Sequence, residues 1–276
     1  MVVEARLRRC QRRRVDASAV TEEEGGRAVM ETSTEEGGGA YACKVCYSDT
    51  NSDEEYNYDL LSNKGPLNWG NIKEEWHLCK NGTRQSPINL QENRAIVVFN
   101  SSGIQRNYRP ANANLLSTDH DIMVNWTENA GYILINGTQY QLVQCHWHSP
   151  SEHTINGIRY DLELHLVHRS LNAVAVIGLL YHTGNPDQFL STIEDDLTLM
   201  AANITNVTHL GIVDPEQIAG LTSNKYFRYN GSLTTPPCSE NVTWTVFTQQ
   251  KTAGREQIKL LRAAVNGDVS CLNLAY

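Results

Sequence analysis

Asn-Gly pairs that close short alternating runs leave this chain few architectures. From Tyr56 onward Ile133-Leu134-Ile135 precedes Asn136-Gly137, and Ser151-Glu152-His153 precedes Asn156-Gly157. Asn and Gly accept the positive φ that tight two-residue turns need, and such turns join antiparallel strands. The pattern predicts a mostly β domain, with helices confined to segments such as Pro186 to Ala202 and Gly254 to Asn266. There is no internal repeat, and 276 residues with 40% hydrophobic content suffice for one large domain.

Residues 1–55 read differently. Runs such as Glu22-Glu23-Glu24-Gly25-Gly26 and Glu35-Glu36-Gly37-Gly38-Gly39 show no apolar period. They cannot bury enough surface to offset chain entropy, so a disordered extension is expected ahead of a folded domain over 56–276. Cys43 and Cys46 form a C-x-x-C pair there, but with neither a second pair nor a βαβ setting no metal or redox role is expected. Six arginines between Arg6 and Arg14 lack both an aromatic stripe and a following apolar stretch, so they read as a solvated tail and not as a signal peptide.

A net charge of −8 argues against nucleic acid as a partner. The longest apolar run, Ala173 to Tyr181, is nine residues, well short of the roughly 18 that span a bilayer, so no membrane partner is expected. Asn-x-Ser/Thr triplets start at Asn81, Asn100, Asn125, Asn136, Asn203, Asn206, Asn230 and Asn241. That density suits a chain passing through the secretory route, toward an extracellular, apoplastic or plastid destination.

The chemistry concentrates in Leu142-Val143-Gln144-Cys145-His146-Trp147-His148-Ser149, which reads as a strand. Alternation puts His146 and His148 on one face, about 7 Å apart, and Cys145 and Trp147 on the other. A second strand, Tyr160 to Val167, places Glu163, His165 and Val167 on one face and three leucines on the other. If the two strands are neighbours, His165 supplies a third nitrogen, and three histidines with an open fourth position describe a catalytic zinc site. Gln144 and Glu163 precede ligands by two residues, where they could fix imidazole tautomers. Spacing alone goes no further, because a histidine pair at i, i+2 also occurs as plain surface or core.

Three blocks carry a resemblance: Gln144 to Thr154, Glu163 to His168, and Gly231-Ser232-Leu233-Thr234-Thr235-Pro236-Pro237-Cys238. With Tyr58, Gly65-Pro66, Trp69 and Arg84-Gln85-Ser86-Pro87 upstream, the chain from about 56 to 265 resembles the α-class carbonic anhydrases, the first block being closest to plant members. The resemblance implies a large, twisted, mainly antiparallel central sheet with a few peripheral helices, holding one zinc per chain at the base of a cone-shaped cleft. It implies reversible hydration of carbon dioxide to bicarbonate and a proton by zinc-bound hydroxide.

Carried over by position, His146, His148 and His165 become ligands, and Glu152 and Thr234 a gate in which the Thr234 hydroxyl donates to Glu152. Val167, Val176, Leu233, Val242 and Trp244 become the apolar wall for the substrate, with Thr235 at the mouth. His153 and Tyr229 become support around Glu163. His120 matches the proton-shuttle position, and His168 is expected to be structural. Cys79 and Cys238 are paired in many extracellular relatives, so a disulfide is implied there, while Cys145 stays reduced.

The family continues past its last helix into an Arg-Pro-rich turn and further strands. Here Ala263-Ala264-Val265-Asn266-Gly267-Asp268 leads to Cys271-Leu272-Asn273-Leu274 and Tyr276, so the domain is expected to be C-terminally incomplete. The competing reading is a storage or defence protein on the same scaffold, like the yam dioscorins, with reduced or no catalysis. Those relatives commonly depart from His at the position of His165, which this chain keeps, together with Glu152 and Thr234. The same residues weigh against an acatalytic binding module.

Overall fold

The computed structural model describes residues 55–96, 104–118 and 120–266. The Cys43/Cys46 pair, Asn100, the extension through residue 54 and the tail from 267 lie outside them. Thirteen strands follow in chain order: β1 Asn89–Leu90, β2 Gln105–Tyr108, β3 Ala111–Ser117, β4 Ile122–Trp126, β5 Gly131–Ile135, β6 Thr138–His148, β7 Thr154–Ile155, β8 Ile158–Arg159, β9 Leu162–Arg169, β10 Val174–Thr183, β11 Val207–Val213, β12 Tyr226–Ser232 and β13 Glu240–Ala253. Ten form one sheet, ordered β11-β3-β4-β6-β9-β10-β13-β12, with β5 pairing β6 and β2 pairing β5. Its pairings are antiparallel except β10 with β13. A small sheet, β1-β7-β8, stands apart.

The Asn-Gly turns are where the sequence puts them. Asn136 and Gly137 have φ of 50° and 78°, and Asn156 and Gly157 have 51° and 82°. Strand alternation then sorts the core onto two faces. Leu162, Leu164 and Leu166 of β9 join Cys145, Trp147 and Tyr181 in the larger apolar cluster. Val167, Val176, Val242 and Trp244 lie in a second cluster on the opposite face. β9 is therefore buried on both sides, ending in exposed Arg169.

Among the described residues six α-helices accompany the sheet: α1 Trp69–Ile72, α2 Leu78–Asn81, α3 Gln188–Thr192, α4 Glu194–Ala201, α5 Pro215–Ala219 and α6 Arg255–Asn266. The expected helix over Pro186 to Ala202 is two helices. Asp187 caps α3 by accepting from the Phe189 and Leu190 amides, and the backbone breaks at Ile193 (φ −114°, ψ 12°) before α4 begins. Ile258, Leu261 and Ala264 of α6 share the large core with Leu197 and Met200 of α4, burying the helices' apolar faces. A second correction concerns Ser151-Glu152-His153, read as an alternating run: only Thr154 and Ile155 form a strand there, and the preceding bend folds inward. Cys79 and Cys238 form a disulfide closing 159 residues, and Cys145 is a buried free thiol.

Candidate metal centre

β6 and β9 are antiparallel neighbours with His146 opposite His165 and His148 opposite Glu163. Two histidines of one strand face and one of the next therefore converge, with ring centroids 4.8, 5.2 and 4.7 Å apart. One side-chain nitrogen from each lies within 4.8 Å of the others.

Hydrogen bonds identify those nitrogens. His146 Nδ1 lies 2.8 Å from Gln144 Oε1, which leaves Nε2 facing inward. His165 Nε2 lies 2.8 Å from Glu163 Oε1, which leaves Nδ1. His148 Nε2 is buried without a hydrogen-bond partner. A buried polar nitrogen costs free energy unless something satisfies it, so this orphan marks a point where a cation would fit. Burial, reinforced by the neighbouring imidazoles, holds His146 well below the ordinary histidine range, and burial also lowers His148. Both are neutral at pH 7, with lone pairs available. Burial opposes a proton on His165, but the Glu163 carboxylate and its hydrogen bond, with Glu152 and Asp121, raise its pKa. The carboxylates that favour a proton there also favour a bound cation.

Glu163 anchors His165. Its Oε2 accepts from the backbone amides of Glu152 and His153, both at 2.8 Å, and its Oε1 meets His153 Nδ1 at 2.7 Å as well as His165. Burial would raise its pKa, but the His153 and His165 imidazoles and the hydrogen bonds hold it well below the carboxylate range. The network continues from His153 Nε2 to the Tyr229 hydroxyl at 2.7 Å, and from there to Ser86 Oγ at 2.8 Å. Gly178 of β10 is opposite His165, and a Cβ there would sit 3.2 Å from Glu163 Oε1.

One expected contact is not made. Among the described residues no hydrogen bond joins Thr234 to Glu152. Instead Glu152 Oε2 is buried without a hydrogen-bond partner, 3.7 Å from His148 Nε2 and 3.9 Å from His165 Nδ1. Thr234 and Thr235 are half-buried, on the loop that the Cys238 amide closes by donating to the Thr235 carbonyl.

Val167, Val176, Val242 and Trp244 belong to one apolar cluster, with Leu233 packed against it, and Trp244 lies 4.8 Å from the His165 ring. His120 stands apart from the triad network, its ring 4.0 Å from Tyr56 and its amide donating to Thr118 Oγ1. His168 faces the other side of β9, between the Tyr108 hydroxyl and the Ala175 carbonyl.

Three contributors have no role that the sequence supplies: Ser86, which enters only as part of the Arg84-Gln85-Ser86-Pro87 block, the pair of backbone amides on Glu163, and Asp121. Burial raises the Asp121 carboxyl despite the nearby His148. Backbone donors have no residue type to read. Ser86 and Asp121 acquire their places only when distant segments meet.

The profile of eukaryotic-type carbonic anhydrases matches residues 64–272. The chain is 45% identical to alpha carbonic anhydrase 7 of Arabidopsis thaliana over 225 residues, covering 81% of this chain and 82% of the relative. It is 42% identical over 227 residues to dioscorin dioA3 of Dioscorea japonica, covering 82% and 83%. Among solved structures, a dioscorin complexed with ascorbate superposes with a TM-score of 0.74 at 41% identity, covering 79% of this chain and 92% of that one. By profile, sequence and fold, the chain belongs to the eukaryotic-type carbonic anhydrase family.

Proposed function

We propose that this protein is a zinc-dependent carbonate dehydratase that interconverts carbon dioxide with bicarbonate and a proton, holding one zinc per chain on His146, His148 and His165. The observation that carries the reading is the directed triad: Gln144 and Glu163 tie off the outer nitrogens of two imidazoles, and the inner nitrogen of the third is a buried orphan. Three imidazole nitrogens converging without a fourth protein ligand in the cluster suit catalytic zinc. Zinc bound there would supply Lewis acidity, lowering the pKa of water to about 7, a figure characteristic of carbonic anhydrases in general.

The chain's own groups do the rest. Glu163 and Gln144 fix which ring nitrogen carries the proton. Glu152, whose Oε2 is buried without a hydrogen-bond partner, has an oxygen open to the single proton of the Thr234 hydroxyl; Thr234 Oγ1 can then only accept, and selects a ligand that presents an O–H. The Val167, Val176, Leu233, Val242 and Trp244 wall offers carbon dioxide, which lacks a strong hydrogen-bonding handle, an apolar resting place beside Thr235. His120 is assigned to carry the proton away. Secretory passage, with N-linked glycans, completes the proposal for the domain over 56–276.

A second reading, a storage or defence protein with reduced catalysis, draws on the 42% identity to dioscorin dioA3. Zinc content and carbon dioxide hydration, measured on the purified full chain, separate the two. One zinc per chain and turnover lost with His165→Ala are expected. A folded protein that binds no zinc would overturn the enzyme reading.

A further inference from the structure

We propose that Asn136, at the tip of the β5–β6 hairpin, is the acceptor of an N-linked glycan. The inference rests on the secretory-route reading, and the fold separates this triplet from its counterparts. Three of the triplets are Asn-Gly-Thr or Asn-Gly-Ser, starting at Asn81, Asn136 and Asn230. A Cβ placed on Gly137 meets nothing within 4 Å, whereas one on Gly231 collides with Ser86 Oγ and Tyr229, and one on Gly82 with Gln85 and the Leu78 carbonyl. Open space at the tip contrasts with packed backbone at the other two.

The hydroxyl two residues on is also decisive, because the acceptor motif includes it. Ser232 is fully buried, donating to the Leu233 carbonyl and accepting from the Ser86 amide. Thr205 Oγ1 donates to the Val207 carbonyl, and Asn241 Oδ1 accepts from Arg84. Asn125 is half-buried in β4, in register with Asn114 and Gln144 of its neighbours. Among the described triplets only Asn136-Gly137-Thr138 is exposed at all three residues. Neither the Asn136 nor the Thr138 side chain is engaged in a hydrogen bond within the described residues.

In the transfer, Asn136 Nδ2 attacks C1 of an oligosaccharide carried on a polyprenyl diphosphate. The C1–O bond breaks, the diphosphate departs with the electron pair, a C1–Nδ2 bond forms, and the amide nitrogen gives up one proton to base.

The test expresses the full chain behind a cleavable secretion signal in a eukaryotic host and maps sites by enzymatic deglycosylation in ¹⁸O-water, which marks each formerly glycosylated Asn as labelled Asp. Label at Asn136, and loss of one glycan's mass in Thr138→Ala, are expected. Thr138→Ala keeps the Asn-Gly turn, and occupancy in the unsubstituted chain does not depend on any variant folding. Secreted protein with Cys79–Cys238 oxidised and Asn136 unlabelled would overturn the inference while leaving the route and the zinc reading intact. The same chain without the added signal tests the route alone.

Discussion

Replacing Glu163 by Gln changes one atom and should undo the centre. The carboxylate accepts four hydrogen bonds at once: two from backbone amides on Oε2, two from His153 and His165 on Oε1. A Gln has one acceptor edge and one donor edge. With its oxygen toward the amides, its NH₂ faces both imidazoles, which must then accept; His165 would carry its proton on Nδ1, the nitrogen proposed to bind metal. With its oxygen toward the imidazoles, the NH₂ faces two amide donors that are left unsatisfied.

Losing one partner of a buried charged network costs about 3–5 kcal/mol. For a domain of this size that is a fall in Tm of roughly 6–20 °C. Loss of an outer partner of a metal-bound histidine weakens metal binding by about 10–100-fold. Zinc affinity by competition with a chromophoric chelator, and thermal melts of metal-free protein, measure the two effects separately. Wild-type zinc affinity in Glu163→Gln would refute the claim that this carboxylate sets the His165 tautomer.

Three further outcomes are expected. His168, buried and pushed down to about 3, should stay neutral as pH falls well below 6, so its ¹⁵N shifts should not titrate between pH 8 and 5. Because its folded pKa lies below its unfolded value near 6.5, the unfolded chain binds the extra proton, and stability present above pH 6.5 is lost as pH falls toward 3. A titration midpoint near 6.5 in the folded protein would count against this. Reducing Cys79–Cys238 should lower stability to chemical denaturation by up to about 5 kcal/mol on the chain-entropy model for 159 residues, while Cys145, whose thiol burial pushes up, stays unreactive; an unchanged midpoint would contradict the tether. His120→Ala should lower kcat in weak buffer, leave kcat/KM for carbon dioxide nearly unchanged and recover with added imidazole; equal losses without rescue would remove His120 from the proton path.

How far the site could be read in advance depended on the range of the interaction. The shared face of His146 and His148 follows from alternation within one strand, and the Gln144 and Glu163 partners follow from the same period of two. That β9 lies next to β6, with His146 opposite His165, is a long-range pairing that periodicity cannot supply; the three-block resemblance filled that gap. Side-chain orientation lies beyond the strand period altogether: nothing in the spacing tells that Glu152 Oε2 lies 3.7 Å from His148 Nε2 and 3.9 Å from His165 Nδ1. The segment after Pro186 is helical as expected, and its division at Ile193 has no Gly or Pro to announce it.

β9, with leucines on one face and Glu163 and His165 on the other, also acts as a registration key for assembly. Sliding it one residue along β6 would drive a carboxylate and an imidazole into the hydrocarbon layer and turn Leu162, Leu164 and Leu166 toward the polar network. Each stranded polar group carries a penalty of a few kcal/mol, so a mispaired sheet is rejected by the same residues that form the histidine cluster. Selection of the strand pairing and assembly of the histidine cluster are thus one event during folding.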